Sequence, residues 1–76
     1  MVSAFVMTSC DLGSTEEVVS ELQKIKAVEV WRVSGIYDLV AKVSSANKED
    51  LQRTYMRIRA IDKVLSTMTL IVSKNY

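Results

Sequence analysis

Histidine and proline are absent from this chain of 76 residues, and cysteine occurs once. A single cysteine cannot form an internal disulfide, which argues for a reducing compartment. It also excludes the paired cysteines that a metal carrier needs in its first loop. A cysteine nucleophile needs a base beside it, and with no histidine Cys10 reads as a small buried or loop residue. Neither a cofactor nor a metal site is expected. Charge of one sign is also missing: ten Lys and Arg stand against nine Asp and Glu, for a formal net charge of +1. That balance excludes a main role in gripping nucleic acid by its phosphates. Arg53, Arg57 and Arg59 do cluster, but they share a predicted helix with Glu49 and Asp50, the pattern of a solvated face. No apolar run approaches the ~20 residues needed to span a bilayer. No basic start followed by an apolar stretch and a cleavage site suggests secretion, so a cytoplasmic location is expected. A chain this short is one domain, and domains near its size bury only roughly 60% of their unfolded surface.

What is present is a regular alternation of strand and helix signals. Val2 to Ser9 is a predicted strand rich in Val, Phe and Met, broken by Asp11-Leu12-Gly13. Ser14-Thr15-Glu16-Glu17 reads as a capping box, followed by Val18, Leu22 and Ile25 at helical spacing. Lys24 and Lys26 suit the negative end of that helix. Ala27 to Ser34 and Ile36 to Ser44 are the second and third predicted strands. Asn47 caps a second helix whose buried stripe is Leu51, Tyr55 and Ile58. Lys63 to Ser73 is the last strand. The order is strand-helix-strand-strand-helix-strand, an α+β, ferredoxin-like βαββαβ pattern with a four-stranded antiparallel sheet.

Two helices cover one face of such a sheet. The other face should then be polar if it meets water. Here it is not. Val2, Ala4 and Val6 face one way in the first strand, while Phe5 and Met7 face the other. In the last strand Val64, Met68, Leu70 and Val72 are expected on one face, with Leu65 and Ile71 opposite. An apolar face with no helix to cover it marks an interface. The expected cover is a second copy of the sheet, packed about a twofold axis.

The stretch from Val33 to Val43, VSGIYDLVAKV, carries the strongest local signal. Gly35 and Asp38 sit at a turn, and Leu39, Ala41 and Val43 alternate after it. Gly35 permits a close backbone approach, and Asp38 places a carboxylate where an amino group can be held. The polar strand Leu65 to Val72 is able to complete a pocket. A plain hairpin capped by Gly and Asp is the competing reading. Thr67 and Thr69 are likewise explained by strand propensity alone.

These same residues resemble a known family. Val33-x-Gly35-x-Tyr37-Asp38-Leu39-Val40, the helix end Ile58-Arg59-x-Ile61-x-x-Val64, and Ser66-Thr67-x-Thr69 are similar to the effector-binding half of the Lrp/AsnC regulators of amino-acid metabolism, the RAM domain. The resemblance runs from about Ala4 to Val72. It implies sheet-to-sheet dimers that join into rings, as octamers or decamers, with a free amino acid bound between dimers near the hairpin. Carried over by position, Ser34, Gly35, Ile36, Tyr37 and Asp38 on the hairpin, with Ser66, Thr67 and Thr69 on the last strand, are the implied ligand-binding residues. Full-length members carry an amino-terminal helix-turn-helix. This chain starts its first strand at Val2 and looks like a stand-alone version of the domain, so direct DNA binding is not expected. Association with a full-length Lrp/AsnC-type regulator is implied through the shared domain.

Other functions on this topology remain open at this point. An ACT-like regulatory domain differs in where its ligand and subunit interfaces lie. A ligand-free assembly module is the plainer alternative. A small ferredoxin-like enzyme would need a strongly shifted acid or base, and the carboxylates here are spread over loops and helix starts. Single-stranded RNA binding would need aromatic residues on the two central strands, which the first and third strands offer sparsely.

Overall fold

A computed structural model describes residues 1–25, 28–74 and 76. The elements run β1 (Val2–Cys10), α1 (Thr15–Gln23), β2 (Val28–Arg32), β3 (Leu39–Ser45), α2 (Lys48–Arg59) and β4 (Val64–Ile71). All pairings are antiparallel, and the sheet order is β2-β3-β1-β4. The expected βαββαβ fold is therefore the observed one. The expected start of the second strand at Ala27 and the role of Lys26 at the helix end lie outside the described residues. The third strand starts later than expected, at Leu39, because residues 34–38 are taken up by the hairpin loop.

β1 is paired on both edges, and its pleat divides the molecule. Ala4, Val6, Thr8 and Cys10 point to the helices and are buried. Val6 stands opposite Ala41 on β3 and Thr69 on β4; Thr8 stands opposite Leu39 and Thr67. Val18 and Leu22 of α1, with Leu51 and Ile58 of α2, close over Val6, Leu39 and Val43 to form the core. The helices bury these residues because they recur every three or four positions, one stripe per helix. Burying a Leu or Ile side chain contributes roughly 1.5–3 kcal/mol, so this cluster supplies most of the driving force.

The opposite face carries Phe5 and Met7 from β1, Trp31 from β2, Val40 from β3, and Met68 and Leu70 from β4. Register places Trp31, Val40, Met7 and Met68 in one row, and Lys42, Phe5 and Leu70 in the next. The molecule is only 16 Å along its shortest axis, one sheet and one layer of helices. No described element of the protomer covers this face, and Trp31, Met68 and Leu70 are 47%, 46% and 52% exposed.

Two details differ from expectation. A register shift between Ser9 and Cys10 pairs Cys10 with Val64. This bulge turns Val64 inward, against the core, rather than onto the face of Met68 and Leu70. An extra residue in one strand reverses the alternation beyond it. Leu65 is then left 67% exposed at the edge. The second difference lies at the start of α1. Ser14 occupies the N-cap position but its side chain makes no capping bond, and its backbone (φ −105°, ψ 5°) is outside the extended region that capping uses. In the same turn Glu16 pairs with Arg32 at 3.3 Å. At α2 the cap is made as expected: Asn47 Oδ1 accepts from the Asp50 amide at 2.9 Å.

The two caps make different demands on stability. Asn47→Ala is expected to lower the unfolding free energy by about 1 kcal/mol, the usual loss for an N-cap. Ser14→Ala should change it by no more than a few tenths, roughly the scale of an uncapped surface site. Urea titration of both variants checks this, and equal losses would contradict the cap assignment.

Candidate functional site

The turn between β2 and β3 is closed by the Val33 amide donating to the Asp38 carbonyl at 2.9 Å. Ser34 to Tyr37 form the tip. Gly35 takes φ +134°, a conformation that side-chain-bearing residues rarely adopt. A Cβ there would meet nothing within 4 Å, so backbone freedom is what the turn demands of it within one protomer. The close approach expected there has no partner among the described residues of the protomer. Ile36 stands at the tip with 89% of its surface exposed, while Tyr37 is half-buried.

Asp38 is committed to the fold by both its main chain and its side chain. Its amide donates to the Thr8 carbonyl at 2.9 Å. Its Oδ2 accepts from the Cys10 amide at 2.8 Å. Regular β1–β3 pairing stops at Thr8 and Leu39, so the Asp38 carboxylate stands in for the next main-chain acceptor. The bond lands on Cys10, whose partner Val64 starts β4 just before the extra residue Leu65. Nearby, the Asp11 amide donates to the Lys63 carbonyl at 2.8 Å, and Lys63 takes a left-handed φ of 76° to enter β4. Burial pushes the Cys10 thiol up from its ordinary pKa; the Thr8 hydroxyl opposes this, and the Asp38 carboxylate adds to it. The thiol is thereby kept protonated and inert. The Thr8 hydroxyl is fully buried and has no hydrogen-bond partner of ordinary geometry among the described residues, although it lies close enough to the thiol to favour the thiolate.

The polar residues of β4 divide between its two faces. Ser66 turns to the open face, where its Oγ lies 2.5 Å from Ser9 Oγ. Thr67 and Thr69 turn to the helix side, opposite Thr8 and Val6. There they line a groove of about 460 Å³ between β4 and α2, together with Tyr55, Arg59, Val64 and Leu65, and Ser66 borders it from the strand edge. Tyr55 and Arg59 are four apart on α2 and so share a helix face. Ligand sites commonly span roughly 300–1,000 Å³, so the groove is of suitable size for a small molecule.

The residues expected at the site thus fall into separate places. Ser34 to Asp38 gather at the hairpin, while Ser66, Thr67 and Thr69 all border the α2 groove, Ser66 with its hydroxyl turned to the open face. β1 stands between the hairpin strand and β4, about 10 Å across two strand spacings. Tyr55 and Arg59 were not expected at the site. Tyr55 reads from sequence as part of the helix stripe, and Arg59 as part of a solvated basic cluster. Only the packing of α2 along the edge strand brings them to Thr67 and Thr69. Arg53 does behave as that cluster predicts, pairing with Asp50 on the helix surface. Among the described residues no group of three or more His, Cys, Asp or Glu is arranged to hold a metal ion, and no helix is long and apolar enough to cross a membrane.

Residues 3–76 match the model of the Lrp/AsnC ligand binding domain. The chain is 35% identical over 74 residues to the HTH-type transcriptional regulator FL11 of Pyrococcus furiosus, covering 96% of this chain and 49% of that protein. It is 35% identical over 75 residues to a homocitrate synthase of Saccharolobus islandicus, covering 96% of this chain but 16% of the enzyme. Among solved structures, that of TTHA0845 from Thermus thermophilus is similar with a TM-score of 0.93 at 29% identity, covering 100% of this chain and 98% of that one. The chain spans about half the length of the curated regulators it matches. It belongs to the Lrp/AsnC ligand-binding domain family.

The structural duty of Asp38 is testable by separating charge from acceptor. Asp38→Ala leaves the Cys10 amide without its partner and is expected to cost about 1–3 kcal/mol. It should also speed hydrogen exchange at Cys10. Asp38→Asn keeps an oxygen acceptor and should retain most of both. Unchanged exchange at Cys10 in Asp38→Ala would show that the carboxylate does not hold the strand.

Proposed function

We propose that this chain senses a free amino acid and does so as an oligomer, with the ligand held where protomers meet. The observation that carries the reading is the division of the expected site. The Asp38 hairpin and the threonines of β4 lie on opposite sides of β1, so one protomer offers two half-sites rather than one pocket. A neighbour's hairpin set against a β4 groove would join them. The exposed Ile36 at the tip suits such a contact, since a large apolar residue at a projecting turn gains by burial. In this arrangement one Asp38 oxygen stays on the Cys10 amide, and the other takes the ligand's ammonium group. Gly35 and Ile36 supply main-chain groups; Ser34 and Tyr37 flank them. Ser66, Thr67 and Thr69 complete the polar lining.

The open sheet face is the surface for dimerisation. Phe5, Met7, Trp31, Met68 and Leu70 form a continuous apolar patch there, and a second copy about a twofold axis matches it residue for residue. Dimers joined by their hairpins would close into rings. The module works in the cytoplasm, where free amino acids are available to report on metabolism. Its partners are further copies of itself and full-length regulators with the same domain. The same domain forms part of both a regulator and a homocitrate synthase, which suits a transferable sensor whose output belongs to the attached or associated protein.

Both parts of the reading can be measured. Sedimentation at micromolar concentration is expected to give a dimer or larger species, not the 8.5 kDa monomer. Leu70→Glu, which places a charge within the apolar face beside Phe5, should shift the population toward monomer; a monomeric native chain would refute the interface. Standard interfaces bury about 1,600 Å² in total, and a charge left unpaired at their centre is poorly tolerated. For the ligand, calorimetry across the common amino acids should find at least one that binds below the millimolar range. Asp38→Asn should weaken it about tenfold to a hundredfold, the equivalent of one charge-assisted bond. If none binds, the chain is an assembly module without an effector.

A further inference from the structure

We infer that the groove between α2 and β4 is a carboxylate site anchored by Arg59, and that it receives the α-carboxylate of the amino acid; this rests on the sensing role proposed above. Arg59 is singled out by what it lacks. Arg32 and Arg53 are paired with Glu16 and Asp50. Arg57 lines a different groove that also holds Glu17, Glu21 and Asp62. Among the described residues no carboxylate pairs with Arg59, and the contact its guanidinium makes is with Met56 Sδ at 3.8 Å. A guanidinium presents a planar fork of donors that matches a carboxylate in two places at once, and a thioether occupies it only weakly.

The rest of the lining suits the same chemistry. Among the described residues no acidic side chain lines the groove. Thr67, Thr69 and Tyr55 bring hydroxyl groups, and Val64 and Leu65 bring an apolar wall. Beside Thr67, its strand partner Thr8 keeps a buried hydroxyl with no hydrogen-bond partner of ordinary geometry among the described residues. β4 is an edge strand, so its outward amides are not used by the sheet. One cation, several neutral donors and no second positive side chain in the described lining favour a monoanion over a phosphate dianion. The ammonium end of the amino acid then finds Asp38 from a neighbouring hairpin. The ligand's two charges are read by two different protomers, so a ligand lacking either charge would fail to bridge them.

Two titrations of the intact chain test this. The first uses sodium acetate at constant ionic strength, followed by NMR, with chloride and inorganic phosphate as comparisons. Acetate should produce saturable shifts at the Arg59 side-chain Nε–H and at the Thr67 and Thr69 amides. Arg59→Met should abolish them, and Arg59→Lys, with its charge but no fork, should recover part. The second is calorimetry with the amino acid giving the strongest binding in a panel, set beside its carboxamide. The native chain should discriminate between them. Arg59→Met should bind the acid about tenfold to a hundredfold more weakly and lose the discrimination. Asp38→Asn should lose amino-acid binding yet keep the acetate shifts. If Arg59→Met binds amino acids as the native chain does, Arg59 is not the anchor, although the sensing role stands. If acetate shifts Arg59 but no amino acid binds the native chain, the carboxylate site stands and the sensing role fails. Stronger shifts with phosphate than with acetate would overturn the carboxylate assignment.

Discussion

The pairing of β1 along both of its edges is the constraint on which the rest of this molecule depends. A strand paired on both sides cannot rotate or slip without breaking two ladders, so its pleat is imposed on β3 and β4 together. Ala4, Val6, Thr8 and Cys10 go to the helices, and with them Leu39, Ala41 and Val43 on one side and Thr67 and Thr69 on the other. Phe5 and Met7 go the opposite way and take Val40, Met68 and Leu70 with them. The same pleat therefore builds the core, the exposed apolar face and the polar lining of the α2 groove. Its interruption, between Ser9 and Cys10, lies at the end where the hairpin and the start of β4 meet.

At that end the chemistry of folding and that of the proposed binding would share atoms. The Asp38 carboxylate completes a strand that main-chain groups leave unfinished. A carboxylate has about four acceptor positions, so a single amide does not exhaust it. Arg59 is the converse case: a charge with no acidic partner among the described residues, beside neutral donors. Opposite charges placed on opposite sides of β1 cannot neutralise each other within one protomer. They remain available to a molecule that carries both signs. In the proposed function this arrangement would connect an amino acid to assembly, each protomer supplying one end of the reading.

Much of the fold is legible in the sequence because it depends on period and punctuation. The alternation in Val2 to Ser9 and Leu39 to Val43, the stripe Leu51-Tyr55-Ile58 and the cap at Asn47 all follow from local geometry. The apolar outer face is equally legible, since Phe5, Met7, Met68 and Leu70 appear where a solvated sheet would be polar. The errors have local causes of another kind. Val64 is assigned to the wrong face because a bulge inserts one residue into the alternation, and no residue in Ser9-Cys10 announces it. Ser14 has the capping sequence but lacks the backbone angles, and its side chain makes no capping bond.

The sequence by itself determined the order of elements, the faces of β1 and β3, the Gly35 turn and the resemblance that names the family. Those properties are set by neighbours a few residues apart. Tertiary structure alone decided that the hairpin and β4 stand apart, that Asp38 closes onto Cys10, and that Arg59 rather than Arg53 overlooks Thr67 and Thr69. Arg53 and Arg59 lie on one helix and look alike in sequence. One meets Asp50 within its own helix, and the other meets strand β4 because α2 packs along that edge. Side-chain role here follows from which element is laid against which, and that is settled by burial of the core stripes rather than by the charged residues themselves.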